Sequence, residues 1–459
     1  ECPKLVLNPG HARELLIHAP SNSVYDTPTT ILASLLDKEF NPAYGPATIL
    51  LSYPDNLEGP ESIQIPADAT HLEFEVTPKQ PGIMRIQGHW GERDQTITAN
   101  PMEVFMMKML GYIYWGDLHS HTHYSWDGVG YDQFAYAEYT SGLDFYAMSD
   151  HSIAQGENYT RGLHKGTWKA YIAETEAANK PGQFATLHGY ECSFGMPYGH
   201  HNVYFRDKPG PLLNPQTVIL PQLWDALEEG NAITIPHHTG KFPRNVDFKK
   251  DDPRFRRNFE MYSGHGLSEV HDPTHPLSPE HNTFTSDSES LDWPSHFQDG
   301  LRLGLQVSAI ASSDDHRAHP GLSHYGLVAV QALSIRRGDI FAALHSRSTY
   351  ATTGAKIIFK FRFKDRPMHQ QHVAFKEGSE FQIQANGTKE IAFIEILRLD
   401  PGARHFEVVK RWEPDALDVM LRWADPDMKP RAIYYARLRQ HGKVRDRIAM
   451  AWSSPIWLD

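Results

Sequence analysis

The sequence predicts an α/β protein whose central region is flanked by two β-sandwich-like domains, and three observations carry that reading. Between about residues 109 and 355, short apolar runs alternate with helix-period stretches. Before and after this region, at 1–108 and 356–459, turn-rich segments alternate between polar and apolar residues. Within the central region, histidines and acids recur at or just after strand ends, where side chains from many strands converge in α/β barrels.

The N-terminal domain rests on segments such as "ATILLSYPDN", "THLEFEVTP" and "PGIMRIQGHW", strands separated by Pro, Gly and Asn. In the central region "YIYWGDLH" predicts a strand, "YDQFAYAEYTSG" a helix ended by Gly142, and "LDFYAMSDH" the next strand. A helix near 166–179, the strand "FATLHGYE", a helix in "LPQLWDALEEG" and the strand "NAITIPHH" follow. "RNFEMYSG", a helix at 294–304, the strand "LQVSAIASSDDH" and the helix "RRGDIFAALHS" complete the series. Beyond it, "KIIFKFRFKD", "SEFQIQANG", "IAFIEILRLD", "AIYYARLRQ" and "SSPIWLD" return to alternating strands.

Composition narrows the function. A net charge of -12 with no long basic run argues against general nucleic-acid binding, which needs clustered cations to release counterions. No apolar stretch reaches the ~20 residues of a membrane span, because "VFMMKML" is short and broken by Lys108. A soluble chain is expected, with a cytoplasmic location favoured over a periplasmic one, and oligomeric state is left open. Only Cys2 and Cys192 are present, so a thiolate cluster is excluded and any metal must take nitrogen and oxygen ligands.

The 27 histidines supply such ligands. In "GDLHSHTHYSWDG", His119 and His121 stand two apart at a strand end, where alternation turns both imidazoles to one side, and Asp127 follows. Asp314 and His316 repeat the spacing. Glu191 offers a carboxylate able to bridge two cations, while His151, His200, His201, His237 and His238 add neutral donors. The set suits Mn, Fe or Zn. Paired divalent ions favour hydrolysis, most naturally of phosphate esters, by hydroxide formed between them.

These motifs resemble the PHP (polymerase and histidinol phosphatase) superfamily of metal-dependent phosphoesterases. "DLHSHTHYSWDG", "MSDH", "GYE", "GHHNVYF", "PHHTG" and "SSDDH" are similar to its successive ligand motifs, over roughly residues 112–350. "FEMYSGHGLSE" and "AWSSPIW" look like a bacterial branch with sandwich-like segments beside the barrel. The resemblance implies a distorted (β/α)7 barrel with two or three divalent ions, Mn favoured, at its C-terminal mouth. It implies His119, His121, Glu191 and Asp314 on one ion, and Glu191, His201 and one of His237 and His238 on a second, His238 being preferred. Asp127, His151 and His316 are implied on a third.

Within that expectation Glu191, Asp314 and Arg317 are the catalytic candidates, with Arg317, Lys241 and His265 as substrate contacts and Arg244 of the same kind. A solvated surface charge is the plainer reading of each cation. Asp117 and Asp150 read equally as orienting partners of adjacent ligands or as strand-end caps. The polar, Pro-rich stretch 272–290 reads as an exposed insertion or a lid. The expected activity is hydrolysis of a small-molecule ester, a phosphoester first. A carboxyl-ester, lactone or amide hydrolase and a non-catalytic metal-containing binding protein are the alternatives.

Overall fold

The computed structural model describes residues 10–130, 132–152, 162–241, 244–272, 274–277, 295–322, 325–364, 366 and 371–459. Most of the 272–290 stretch lies outside the described residues. The fold is mixed α/β with several sheets. It divides into two compact units, Glu1–Met109 with Ala135–Gly142, and Leu110–Phe134 with Leu143–Asp459.

The first unit is built on short strands. One sheet orders Glu14–His18, Thr29–Leu36, His71–Pro78 and Leu57–Glu58; a second orders Gln95–Thr98, Gln87–Trp90, Ala47–Ser52 and Ser62–Ile65. Alternation explains why they share a core: Leu15 and Ile17 point inward from the first strand, and join Ile31, Leu35, Ile49, Ile65 and Trp90 in one apolar cluster.

In the second unit the strands that position the site pair in sequence. Parallel pairing joins β1 (Tyr112–Asp117) to β2 (Phe145–Tyr146) and β2 to β3 (Ala185–Thr186). A parallel bridge from His151 to Glu191 keeps the same register, so β4 (His188–Ser193) prolongs the line of β3. From there β4 pairs antiparallel with β5 (His200–Phe205), and β5 antiparallel with β6 (Ala232–His237). A parallel bridge between Thr234 and Arg256 leads on to β7 (Asn258–Glu260), which pairs parallel with β8 (Ser308–Ile310). The parallel bridge between Ser120 and Asp315 then returns to the segment after β1.

Helices Lys165–Ala177, Leu220–Ala226, Phe297–Arg302 and Arg337–His345 fall within the predicted stretches or within a residue of them. Strict β/α alternation does not hold, because β4 turns back directly into β5 with no helix between them. β6 is buried along its whole length, as expected of a strand covered on both faces, and its Ile233 and Ile235 pack with Leu118, Phe145, Leu187, Tyr204, Ile310 and Val328. On the other side of β1 the sheet continues through Leu327–Ala332, Thr349–Thr352, Arg447–Ser453, Ile433–Val444, Glu380–Leu399 and Ile358–Phe363. No helix among the described residues is long and apolar enough to cross a membrane.

Candidate metal centre

The segments after β1 and β8 are tied together by backbone hydrogen bonds from Asp314 N to His119 O (2.8 Å) and from His121 N to Asp315 O (2.7 Å). That pairing sets two imidazoles beside Asp314, and Glu191 of β4 completes the set. His119 Nε2 and His121 Nε2 each lie 3.3 Å from Glu191 Oε2 and 3.3 Å from Asp314 Oδ1, so four donor atoms converge on one point. The other nitrogen of His119, Nδ1, donates to Glu260 Oε2 at 3.0 Å and fixes the ring.

The second oxygen of Glu191 faces a different set. Oε1 lies 2.7 Å from His200 Nδ1, 3.3 Å from His151 Nδ1 and 3.6 Å from His237 Nε2. Donor atoms of Glu191, His200, His237 and His238 all fall within 4.8 Å of one another. Register explains the membership: Ser193 pairs with His200 and His200 with His237, so both histidines share the face of Glu191, two residues before Ser193. His238 breaks the alternation because its backbone is left-handed, with φ of 37°, which returns a second imidazole to the cluster.

A third group forms around Asp127, whose Oδ2 lies 3.1 Å from His151 Nε2 and 3.3 Å from His316 Nε2. His316 Nδ1 is 3.7 Å from Asp314 Oδ1, linking this group to the first. Trp126 stacks on His151 at 4.1 Å between ring centroids and limits its rotation.

The electrostatics fit cations. Burial opposes the charged forms of Glu191 and Asp314, yet the surrounding imidazoles hold both carboxyls well below their usual range. Burial also disfavours charge on His121, but Asp314 and Glu191 push it up to about 10. The two carboxylates therefore demand positive charge at their centre. His237 and His238, by contrast, are driven well below the ordinary histidine value, first by burial, and stay neutral donors. Both ring nitrogens of His237, His238 Nδ1, Asp127 Oδ1 and Asp314 Oδ2 are buried without a hydrogen-bond partner. Such orphans cost about 1–3 kcal/mol each unless another ligand satisfies them, and a set of imidazole nitrogens and carboxylate oxygens suits borderline or hard divalent ions.

Of the residues expected from the sequence, His119, His121, Asp127, His151, Glu191, His237, His238, Asp314 and His316 come together here. His201 does not. It pairs with Cys192 on the opposite face of β5, where its Nε2 lies 3.3 Å from Arg256 Nη2, and His200 reaches Glu191 instead. Cys192 is buried, and its thiol is pushed up by burial, as a packing residue requires.

Lys241 and His265 flank the cluster. Lys241 Nζ donates to His265 Nδ1 at 2.9 Å, and His265 Nε2 lies 3.2 Å from Asp314 Oδ2 without hydrogen-bond alignment. Arg317 is exposed, and its backbone N–H donates to Asp315 Oδ2 at 3.0 Å. Asp117 and Asp150 hold backbone: Asp117 accepts from the N–H groups of His119, Ser313 and Gly321, and Asp150 from Thr122. Sequence reasoning missed Glu260, although it stands in "FEMYSGHG" four residues after Arg256. A buried acid inside an apolar strand was the available signal.

The site thus defines a class: a protein whose buried His, Glu and Asp side chains form adjoining groups that could hold metal ions. Residues 145–241 and 278–384 match the model of the family described as "Protein of unknown function (DUF3604)". The chain is 27% identical over 409 residues to an uncharacterized protein of Chlamydia trachomatis and 26% identical over 418 residues to one of Chlamydia pneumoniae. Each alignment covers 83% of this chain and 62% of the relative, so the chain spans about three fifths of the length of these curated relatives. A two-domain protein of Bacteroides vulgatus containing a "predicted PHP-like metal-dependent phosphoesterase" is similar over 75% of this chain and 95% of its own, at 14% identity and a TM-score of 0.37.

Proposed function

We propose that this chain is a metal-dependent hydrolase acting on phosphate esters, with two or three divalent ions in the cluster, Mn favoured over Zn and Fe. The observation that carries the proposal is the position of Glu191. One oxygen faces His119 and His121 at 3.3 Å, and the other faces His200 at 2.7 Å, as a carboxylate shared by two cations must. The pairing that runs from β1 through β8 and back to the segment after β1 supports a distorted (β/α)7 barrel in which β5 runs antiparallel to its neighbours, and in this reading the cluster sits at its C-terminal mouth.

Bound ions would supply Lewis acidity and a nucleophilic water near neutral pH. The chain's own residues do the rest. Glu260 orients His119, Asp117 and Asp150 fix the ligand loops, and Trp126 covers His151. Lys241, with Arg244 acting on it electrostatically, places positive charge beside Asp314, where phosphoryl oxygens need it more than a neutral carbonyl does. Arg317 adds a further cation at the exposed end of the same loop.

The test is elemental analysis of the purified chain, followed by Mn reconstitution and assay on p-nitrophenyl phosphate, its bis ester and p-nitrophenyl acetate. Chelator-sensitive turnover of a phosphoester is expected. Turnover of the acetate with none of either phosphoester rejects the proposal in favour of a carbonyl hydrolase, and bound metal without any turnover favours a binding protein.

A further inference from the structure

At the starting ends of β7 and β8, opposite the ends that carry Glu260 and lead to Asp314, a second group of charged side chains has no part in the metal centre. Arg257 precedes β7, while His345 closes the helix Arg337–His345 and Arg347 follows it. Arg257 Nη2 lies 3.5 Å from His345 Nε2. Arg347 Nη1 donates to the backbone carbonyl of Gln306, the residue two before β8, at 3.2 Å. The Nε atoms of both arginines are buried without a hydrogen-bond partner.

The backbone around these cations is fixed. Asn258 Nδ2 donates to Leu344 O (3.0 Å) and to Ser308 Oγ (2.7 Å), and Ser308 N donates to Arg257 O (3.0 Å). Gln371 Nε2 donates to Arg347 O at 2.8 Å, and Arg347 itself is held left-handed with φ of 65°. A non-glycine residue in that region costs about 1 kcal/mol or more, and such strain collects at ligand clamps.

The protein carries a net charge of -12, yet among the described residues no carboxylate oxygen makes an ion pair with Arg257 or Arg347. Glu229 acts on Arg257 and His345 from beyond ion-pair distance, while Arg206 adds positive charge and is itself 3.5 Å from Asp207. Burial, and then the neighbouring cations, disfavour the protonated form of His345, leaving its Nε2 to accept from Arg257. The arginines stay charged and repel one another.

We propose that Arg257 and Arg347, steadied by His345, form a binding site for a small oxyanion of the phosphate class, separate from the metal centre. Two planar guanidinium groups offer paired N–H donors that match the several oxygens of such an ion, and an anion there relieves the repulsion between them.

The test is calorimetric titration of inorganic phosphate into the full chain after metal removal, so that ions at the cluster contribute nothing to binding. The chain should bind phosphate, and Arg257→Gln with Arg347→Gln should weaken binding at least about tenfold, whereas Arg422→Gln, at a surface arginine paired with Glu380, should not change it. No binding at millimolar phosphate, or an unchanged Kd in the double variant, overturns the proposal. A residue-level readout on the unaltered chain covers a variant that fails to fold: phosphate should slow phenylglyoxal modification of Arg257 and Arg347, seen by peptide mass spectrometry. Equal rates with and without phosphate overturn the proposal by themselves.

Discussion

Glu260 Oε2 lies 3.0 Å from His119 Nδ1, on the nitrogen that does not face Glu191 and Asp314. The contact fixes the tautomer, so that Nε2 presents a lone pair to the cluster, and it raises the basicity of the ring. Burial pushes the Glu260 carboxyl up to about 7, which the imidazole partly offsets. Loss of such a partner costs roughly 10–100-fold in metal affinity. Glu260→Gln, which keeps an acceptor but loses charge, should fall near the lower figure and Glu260→Leu near the upper. Competition with a chromophoric chelator measures both, and wild-type affinity in the Leu variant removes this role.

Glu191→Gln tests the shared carboxylate. Its two oxygens face separate histidine groups, so under the proposed function loss of charge should lower metal content and phosphoester turnover together, while the apolar contacts of β4 stay as they are. Elemental analysis alongside the chromogenic assay checks this. Full metal content with full activity would take Glu191 out of the centre.

His200 and His201 are adjacent in sequence but face opposite sides of β5, and their variants should separate cleanly. His200→Ala removes the imidazole nearest Glu191 Oε1 and should reduce bound metal with little change in stability. His201→Ala opens a buried site beside Arg256, whose guanidinium is itself fully buried against Trp224 and Phe248. That variant should retain its metal and lose about 1–3 kcal/mol of stability, the cost of an unsatisfied buried donor. Metal content and denaturant midpoints together decide, and the reverse pattern would put His201 rather than His200 in the centre.

The same pair marks what the sequence could and could not reveal. His119 and His121 fall within one short segment directly after β1, where alternation brings side chains to a common side, whereas Asp314, four residues beyond β8, is left-handed with φ of 52°. His200 against His201 depends on how β5 pairs with β4, and that antiparallel return interrupts a pattern otherwise read as β/α units. His238 could not be read from alternation at all, because its left-handed backbone reverses the rule for one residue. Glu260 escaped for a different reason: its partner His119 is 141 positions away, and only the pairing of β7 with β8 brings the two together.

Glu269 makes the clearest prediction for pH. Wholly buried, it accepts from Tyr435 OH (2.5 Å), Trp452 Nε1 (2.7 Å) and Arg437 Nη1 (2.9 Å), and its Oε2 lies 3.0 Å from His275 Nε2. Burial works against the charge, but Arg437 and these donors hold the carboxyl below its ordinary value of 4.5. A carboxyl depressed on folding stabilises the protein above its unfolded value, and that stabilisation drains as pH falls below about 4.5 toward the folded value. Glu269→Gln leaves Arg437 facing Glu395 alone and should cost about 3–5 kcal/mol near neutral pH, as loss of one partner of a buried ion pair does. Because glutamine does not titrate, the gap between variant and wild type should narrow steadily as the solution is acidified below pH 4.5. Denaturant midpoints across that range measure it; a gap that stays constant would show that Glu269 is no more strongly ionised in the folded chain than in the unfolded one.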